Sequence, residues 1–219
     1  MERPDILDLK KTILEDNDAD ADKLRAELKE RDLFYINVMS SPGAGKTTTI
    51  LGLLNKLSST AVLEADIDSD VDARTIMDAG FPSLQLHTGG MCHLDADMSR
   101  QALKKLGGSF DIVILENVGN LVCPAEFDTG SHLNLVILSV PEGDDKPLKY
   151  PLMFEQCDAV IVNKIDSLPV FDFDMDIFKK NVALRNPDAK IFPISALTGE
   201  GVEDVADWIK LKKMEILCR

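Results

Sequence analysis

The sequence lacks an excess of positive charge, a long hydrophobic run and a closely spaced pair of cysteines. Lysine and arginine total 24 against 38 aspartate and glutamate residues, which gives a net charge of −14. Such an acidic chain is poorly suited to nucleic-acid backbones and to anionic membrane surfaces. We therefore expect no nucleic acid and no membrane among its partners. A phosphate ligand stays compatible, because backbone amides at a helix start hold anions without net positive charge.

The lack of a long hydrophobic run indicates where in the cell the protein is expected. No stretch approaches the ~20 apolar residues that span a membrane. The first residues, MERPDILDLKK, include acidic side chains and contain no apolar signal core. Four cysteines, none of them in a C-x-x-C pair, are too few for a disulfide scaffold. We therefore expect a cytoplasmic protein.

Residues 1–32 differ from the rest of the chain. Their apolar residues recur at helical spacing, but the acidic stretch 16–22 (DNDADAD) interrupts the pattern. This predicts two short helices flanking an acidic turn, as a helical appendage to the domain formed by residues 33–219. Part of the stretch matches a calcium-binding EF-hand loop, but Ala21 stands where that loop requires glycine. An acidic helix start is the preferred interpretation.

From residue 33 onward, short apolar runs alternate with helical patterns. This alternation predicts a doubly wound, mostly parallel α/β sheet with helices on both faces. The predicted strands are 33–39, 61–65, 83–86, 112–115, 133–140, 159–162 and 190–193. The predicted helices lie near 46–58, 71–79, 95–106, 172–186 and 202–217.

The segment 40–48 (SSPGAGKTT) follows the first predicted strand and precedes a helix. Its end matches the phosphate-loop pattern G-x-x-x-x-G-K-[ST], with Ser40 in place of the first glycine. In such loops the amides face phosphate oxygens, the lysine neutralises the β- and γ-phosphates, and the hydroxyl binds Mg²⁺. The predicted nucleotide contacts are Gly43, Ala44, Gly45, Lys46, Thr47 and Thr48.

Two later segments indicate which base is bound. The segment 163–166 (NKID) resembles the N-K-x-D guanine signature and directly follows a predicted strand. The Asp166 carboxylate can accept hydrogen bonds from guanine N1–H and its exocyclic amine, whereas adenine would leave it unpaired. The segment 195–197 resembles the S-A-x element near the guanine oxygen. The predicted base contacts are Asn163, Lys164, Asp166, Ser195, Ala196 and Leu197.

Two acidic residues end predicted strands, where carboxylates face the ligand crevice. We expect Asp66 and Glu116 to bind Mg²⁺ with Thr47, directly or through water, and to form the catalytic group with Lys46. Segment 116–119 (ENVG) stands where Ras-like GTPases have D-x-x-G, but no glutamine follows. This predicts weak intrinsic hydrolysis that needs a further group or a partner. Segment 68–72 is expected to sense the γ-phosphate by ordering, with a helix cap at Asp72 as the alternative.

Three residues offer ligands for a softer metal. Cys92 and His93 share a loop after one predicted strand, and Cys123 lies in a loop after another. Thiolate and imidazole suit Zn²⁺ and Ni²⁺, and a two-fold axis could complete the coordination. The residues alone leave a second interpretation open, a small buried cysteine beside a capping histidine. His87 and His132 are expected to be structural.

Six segments together resemble the HypB family of hydrogenase nickel-insertion GTPases, over residues 33–217. They are SSPGAGKTT at 40–48, EADIDSDVDA at 64–73, TGGMCHLDA at 88–96, ENVGNLVCPAEFD at 116–128, SVPEGDDKPLKYP at 139–151 and NKID at 163–166. The combination of C-H-L-D-A with G-N-L-V-C-P is specific. Related urease nickel GTPases carry a different C-P-H element.

The resemblance implies a GTP-hydrolysing nickel chaperone for NiFe-hydrogenase maturation that forms a homodimer with GTP. Cys92, His93 and Cys123 match the family's interfacial Ni²⁺ or Zn²⁺ site. The implied partners are a nickel-binding maturation chaperone and the hydrogenase large-subunit precursor. No cysteine or histidine precedes His87, so nickel storage is not expected. Lys146 or Lys149 is a hypothesised contact across the dimer.

Two alternatives accompany this interpretation. One is a metal-binding module in which guanine nucleotide sets affinity and turnover is incidental. The other is a urease-type nickel GTPase, which the missing C-P-H element disfavours.

Overall fold

The computed structural model describes residues 9–67 and 69–218, and within them the chain forms a seven-stranded sheet. Every neighbouring pair of strands runs parallel, in the order β3-β2-β4-β1-β5-β6-β7. The strands are β1 (Phe34–Ser40), β2 (Thr60–Asp66), β3 (Ser83–His87), β4 (Ile112–Glu116), β5 (Leu133–Ser139), β6 (Ala159–Asn163) and β7 (Lys190–Pro193).

Helices connect these strands. The long ones are α1 (Leu9–Glu30), α2 (Lys46–Leu54), α3 (Val71–Asp78), α4 (Ala96–Leu106), α8 (Met175–Ala183) and α9 (Val202–Leu217). Three short helices that the sequence pattern did not indicate lie between β4 and β6: α5 (Cys123–Glu126), α6 (Lys146–Lys149) and α7 (Pro151–Glu155). Residues 140–142 and 165–170 form 3₁₀ turns.

Alternate residues of the buried strands face two separate helical layers. Phe34, Ile36 and Val38 pack in one core with residues of α2, α3 and α9. Tyr35 packs on the opposite face with residues of α1 and α4, and Met39 packs there with residues of α7 and α8. The predicted doubly wound parallel sheet with helices on both faces is therefore confirmed.

The chain reverses its direction across the sheet at β1, which lies between β4 and β5. Such a switch point opens a crevice at the carboxyl ends of the strands, where ligands of open α/β sheets bind. The loops after β1, β2, β4 and β6 all start at this edge. The topology therefore gathers segments 40–48, 116–123 and 163–166 in one place.

The prediction of two short N-terminal helices is wrong, because α1 runs without a break through the acidic stretch. The break in apolar spacing arises because this part of the helix packs through polar side chains. The Asp20 carboxylate pairs with Arg100 of α4 at 2.5 Å. A continuous helix also excludes the looped backbone of an EF-hand at residues 16–27. Residues 1–8 lie outside the described residues.

Among the described residues, no helix combines the length and the apolar character that crossing a membrane requires.

Candidate functional site

The loop between β1 and α2 has the backbone that phosphate binding needs. Gly43 and Gly45 have φ of 77° and 91°, in the left-handed region that favours glycine. A Cβ on Gly45 would lie 2.5 Å from Nδ2 of Asn163, so this position also lacks room for a side chain. Gly45 precedes the first turn of α2, whose unpaired amides and dipole favour an anion.

Lys46 and Thr47, which follow Gly45, make side-chain hydrogen bonds. The Lys46 ammonium donates to Oγ of Ser40 at 3.2 Å, and the Thr47 hydroxyl donates to Oε1 of Glu116 at 2.8 Å. A Cβ on Gly119 would lie 3.5 Å from Nζ of Lys46, which places the loop after β4 against the lysine. The structure thus brings Lys46, Thr47 and Glu116 together, as the sequence predicted.

A buried pair of carboxylates lies beside Thr47. Glu64 of β2 and Glu116 of β4 are register partners in neighbouring strands, and both are almost completely buried. Burial raises the pKa of both groups, and the charge of Glu116 raises that of Glu64 further. Interaction between the two carboxyl groups raises the pKa of Glu64 and opposes the rise in the pKa of Glu116.

Asp72 of α3 completes a cluster of three carboxylates with Glu64 and Glu116, whose ligand oxygens lie within 4.8 Å of one another. One oxygen of Glu64 and one of Glu116 are buried without a hydrogen-bond partner. Carboxylate oxygens and a hydroxyl are suitable ligands for Mg²⁺, so these residues fit that ion. Sequence reasoning missed Glu64, although a glutamate inside an otherwise apolar strand was a usable signal.

Asp66 is not a member of this cluster of three carboxylates. Its Oδ1 accepts a hydrogen bond from the Ser69 amide at 2.7 Å, in the turn that leads to α3. Asp68 is outside the described residues. The backbone of Asp70 precedes α3, so Asp72 lies within the helix and is not its cap. The assignment of Asp66 to Mg²⁺ stays a prediction.

The two predicted base-binding loops, residues 163–166 and 195–197, are hydrogen-bonded to the phosphate loop through Asn163. Its amide donates to the carbonyl of Ala44 at 2.9 Å, and its Oδ1 accepts from the amides of Lys164 and Ala196. The Lys164 ammonium donates to the carbonyl of Gly43 at 2.7 Å. These bonds fix the distance between the phosphate loop and the base-binding loops.

Asp166 is oriented by Ser195, whose hydroxyl donates to Oδ1 at 2.5 Å. Ser195 is completely buried, and its oxygen also accepts from the Thr198 amide at 3.2 Å. Leu197 is 82% exposed at the rim. The predicted base-binding residues are therefore gathered at one end of the phosphate loop.

The two predicted metal-binding loops bring their thiols near each other. The neighbouring Cys92 thiol is the largest cause of a raised pKa of the Cys123 thiol. The Asn120 amide lies 3.6 Å from Sγ of Cys123. Cys123 begins α5, only a few residues after Gly119, so its loop is continuous with the one that touches Lys46.

His93 faces a different neighbour. Its ring stacks on Phe127, with the centroids 3.7 Å apart. Burial lowers its pKa, and its Nδ1 is buried without a hydrogen-bond partner. Within residues 9–67 and 69–218, the group of three close potential ligands is the carboxylate cluster, not Cys92, His93 and Cys123. One chain in this conformation thus joins two of the three predicted ligands.

The remaining candidates lie outside these clusters. His132 is half-buried, stacks on Phe34 and accepts a hydrogen bond from the Tyr35 amide at 3.0 Å. The Lys149 ammonium pairs with Asp145 at 2.5 Å, within its own loop. These contacts agree with a structural role for His132 and leave the dimer hypothesis for Lys146 and Lys149 as a prediction.

A parallel sheet with a phosphate loop at its switch point, and with guanine-type loops bonded to it, defines a P-loop nucleotide-binding protein of the GTPase type. Comparisons with known proteins agree. The family described as CobW/HypB/UreG, nucleotide-binding domain, matches residues 34–193. This chain belongs to that family.

Within the family, the similar proteins are HypB proteins. The chain is 43% identical over 215 residues to the hydrogenase maturation factor HypB of Azotobacter vinelandii, covering 95% of this chain and 70% of that protein. It is 41% identical over 209 residues to the hydrogenase/urease maturation factor HypB of Helicobacter pylori strain 26695, covering 93% and 86%.

Solved structures give the same result. The structure of HypB from Helicobacter pylori in complex with nickel has a TM-score of 0.87 and 39% identity, covering 91% of this chain and 96% of that one. HypB from Archaeoglobus fulgidus has a TM-score of 0.83 and 33% identity, covering 90% and 98%. The resemblance inferred from the motifs is therefore confirmed.

Proposed function

We propose that this chain is a cytoplasmic GTP-hydrolysing nickel chaperone for NiFe-hydrogenase maturation, acting as a homodimer in its GTP state. The observation that carries the proposal is that the loop after β4 lies against Lys46 at Gly119 and then brings Cys123 near the Cys92 thiol. This loop joins one proposed metal ligand, Cys123, to a segment that lies against the lysine of the phosphate loop.

Guanine nucleotide recognition rests on the Asp166 carboxylate. Ser195 holds this group in place, so it is preorganised to accept the two guanine N–H donors. Asn163 and Lys164 hold the base loops at a fixed distance from the phosphate loop. An adenine nucleotide would leave Asp166 without donors, which favours GTP over ATP.

Phosphate binding and hydrolysis rest on the loop amides, Lys46 and the carboxylate cluster. We propose that Thr47, Glu116 and Asp66 hold Mg²⁺, with Glu64 and Asp72 next to them. Mg²⁺ bound there would neutralise charge that develops on the β- and γ-phosphates. Lys46 stabilises the same charge from the other side of the loop. Asn120 stands where a water-positioning glutamine is absent, so a dimer partner would supply part of the rate.

Nickel is the proposed cargo, held by Cys92, His93 and Cys123. Thiolate and imidazole ligands suit Ni²⁺ and also Zn²⁺. His93 stacks on Phe127 in the single chain, so pairing with a second chain would complete a site that one chain forms in part. The similar H. pylori HypB structure with nickel supports this cargo. The proposed recipients are a nickel-binding maturation chaperone and the hydrogenase large-subunit precursor.

Coupling between the nucleotide state and nickel binding would pass through the loop after β4, which carries both Gly119 and Cys123. The γ-phosphate is expected to attract Lys46 and Gly119, and Cys123 lies a short distance along the same segment. GTP would stabilise one arrangement of the thiols, and GDP would permit another. Nickel release would thereby depend on hydrolysis.

A release experiment tests this function. The reduced protein is loaded with Ni²⁺ and mixed with an excess chelator, together with GTP or a non-hydrolysable analogue. The proposal predicts faster transfer to the chelator as GTP is hydrolysed than with the analogue. Equal transfer in the two states, with hydrolysis measured in the first, would contradict it.

A second candidate is a metal-binding module in which guanine nucleotide only sets affinity. The proximity of the Cys92 thiol to Cys123 supports this candidate, because these two metal ligands are not among the residues proposed to bind nucleotide. A negligible hydrolysis rate in the presence of Ni²⁺ and at concentrations that form the dimer would support this candidate.

A further inference from the structure

Helix α1 contacts both metal-binding loops through one side chain. The Nδ2 group of Asn17 donates to the carbonyl of Asp128 at 3.0 Å. Its Oδ1 accepts from the amide of Ala96 at 3.0 Å. One carboxamide therefore links two backbone segments that are far apart in the sequence.

Each of these backbone groups lies at the end of a cysteine-bearing segment. Ala96 is the first residue of α4 and directly follows the loop that carries Cys92 and His93. Asp128 follows α5, whose first residue is Cys123. Between them, the His93 ring stacks on Phe127. Asn17 thus connects the ends of the two segments that carry Cys92 and Cys123.

The helix that carries Asn17 is firmly packed. Leu24 and Leu28 of α1 are buried in the core with residues of α4 and the sheet, and a Cβ on Gly130 would lie 2.7 Å from Leu24. Arg25 donates to the carbonyl of Ser131 at 2.8 Å and pairs with Asp128.

Arg100 joins α4 to the same helix. Its guanidinium pairs with Asp20 at 2.5 Å and with Glu27 at 3.3 Å. Because these contacts immobilise α1 against both segments, Asn17 acts from a fixed position.

We propose that Asn17 is a positioning residue for the metal site, holding the Cys92–His93 loop and the Cys123 loop at the spacing that brings the ligands together. The inference rests on the proposed nickel function and does not give Asn17 contact with the metal. Outer residues that orient ligands commonly alter metal affinity about 10- to 100-fold when they are replaced. The carboxamide is needed because it donates to a carbonyl and accepts from an amide at once.

Two substitutions separate these bonds. Asn17→Asp keeps an acceptor for the Ala96 amide but loses the donor to Asp128, whereas Asn17→Ala loses both. Asn186→Ala is a matched control. Asn186 is also partly buried, donates to the carbonyl of Cys157 at 2.8 Å and accepts from the Asp188 amide at 3.1 Å, away from the metal loops.

The first readout is a Ni²⁺ titration of each reduced variant in the presence of a GTP analogue. Binding is monitored through the thiolate-to-nickel charge-transfer absorbance. We expect Asn17→Ala to bind Ni²⁺ about tenfold or more weakly, with a changed band, and Asn17→Asp to lie between it and the wild type. Asn186→Ala should leave band and affinity unchanged even if its Tm falls equally. GDP affinity should not change in any variant.

The second readout needs no metal. Metal-free proteins are treated with diamide, which is reduced to its hydrazine as the Cys92–Cys123 disulfide forms, and the disulfide is quantified by peptide mass spectrometry. We expect it to form several-fold more slowly in Asn17→Ala than in the wild type and in Asn186→Ala.

The two readouts have distinct consequences. Unchanged disulfide formation, or an unchanged nickel band and affinity in Asn17→Ala, would overturn the inference. A wild type without a nickel band, with disulfide formation still slowed in Asn17→Ala, would overturn the proposed function but support the positioning role.

Discussion

The nucleotide pocket and the metal-binding loops occupy the same edge of the sheet but are built differently. In the pocket, Asn163 bonds three separate backbone groups, and Ser195 holds Asp166. In the predicted metal loops, the Cys92 thiol lies near Cys123, but His93 stacks on Phe127. The pocket is held by bonds among its own binding residues, whereas the loops are held from outside by α1.

This difference predicts which site would depend on a second chain. A pocket whose loops are mutually bonded in one chain is preorganised for its ligand. A metal site that joins two of three ligands gains most from a second subunit, because symmetry doubles the available ligands. We therefore expect substitutions in the pocket to act on isolated chains, and substitutions in the metal loops to act on the assembled state.

The largest expected effect is on hydrolysis. Lys46→Ala removes the ammonium that faces the developing phosphate charge, so kcat for GTP should fall about 10³-fold. Steady-state phosphate release measures this. Lys56→Ala, which removes an exposed lysine paired with Glu203 just after α2, is the control. A rate for Lys46→Ala within about tenfold of the wild type would break the proposed role of the phosphate loop.

Base selection should show the next largest effect. Asp166→Asn keeps the shape of the side chain but replaces an acceptor with a donor, so the preference for GTP over ATP should fall about 10²-fold or more. Competitive binding of the two nucleotides measures it. Asp172→Asn changes the same charge at an exposed position. If the preference survived in Asp166→Asn, the NKID segment would not be the base-recognition element.

Metal binding should respond to a smaller but measurable extent. Cys123→Ser removes a thiolate, so Ni²⁺ affinity should fall at least about tenfold while GDP affinity stays unchanged. Spectroscopic Ni²⁺ titration measures the change, and Cys218→Ser removes an exposed cysteine as the control. A parallel loss of GDP affinity would show that the two sites are not separate.

The smallest effect concerns the scaffold behind both sites. Burial, together with the smaller effect of the Arg25 and Lys29 charges on α1, lowers the pKa of His132 from 6.5 to about 4. The unfolded chain then binds more protons between these values, so folding stability is complete above pH 6.5 and falls as the pH decreases towards 4. The expected loss between pH 7 and pH 5 is about 1–2 kcal/mol.

His132→Asn tests this effect, since asparagine can still accept from the Tyr35 amide but does not titrate. Urea unfolding at pH 7 and pH 5 should show a smaller pH-dependent loss in the variant than in the wild type. The same loss in both proteins would assign the effect to other groups.

Local sequence motifs were sufficient to locate the candidate nucleotide pocket. The glycines of the phosphate loop and the residues 163–166 have their roles in short segments next to strands, where backbone geometry follows from a few residues. The sheet was equally accessible, because buried parallel strands are continuous apolar runs.

Features that depend on contacts between segments far apart in the sequence could not be predicted from the sequence. Glu64 and Glu116 form a pair only because β2 lies beside β4, and sequence order does not give that adjacency. The acidic stretch in α1 suggested a turn, because its polar partners Ala96 and Arg100 lie on another helix. For the same reason, the sequence alone could not predict that Asn17 bonds to the ends of both metal loops.

The account contrasts a nucleotide pocket that is complete in one chain with a metal site that a second chain completes. Its most direct test is a Ni²⁺ titration of the reduced protein at concentrations below and above those expected to form the dimer. Charge-transfer absorbance and molecular mass are recorded with a GTP analogue and with GDP, and GDP affinity is measured alongside. The account predicts GDP affinity independent of protein concentration, and a nickel band that grows with the dimer in the GTP-analogue state. A full band from the monomer, indifferent to nucleotide, would contradict it.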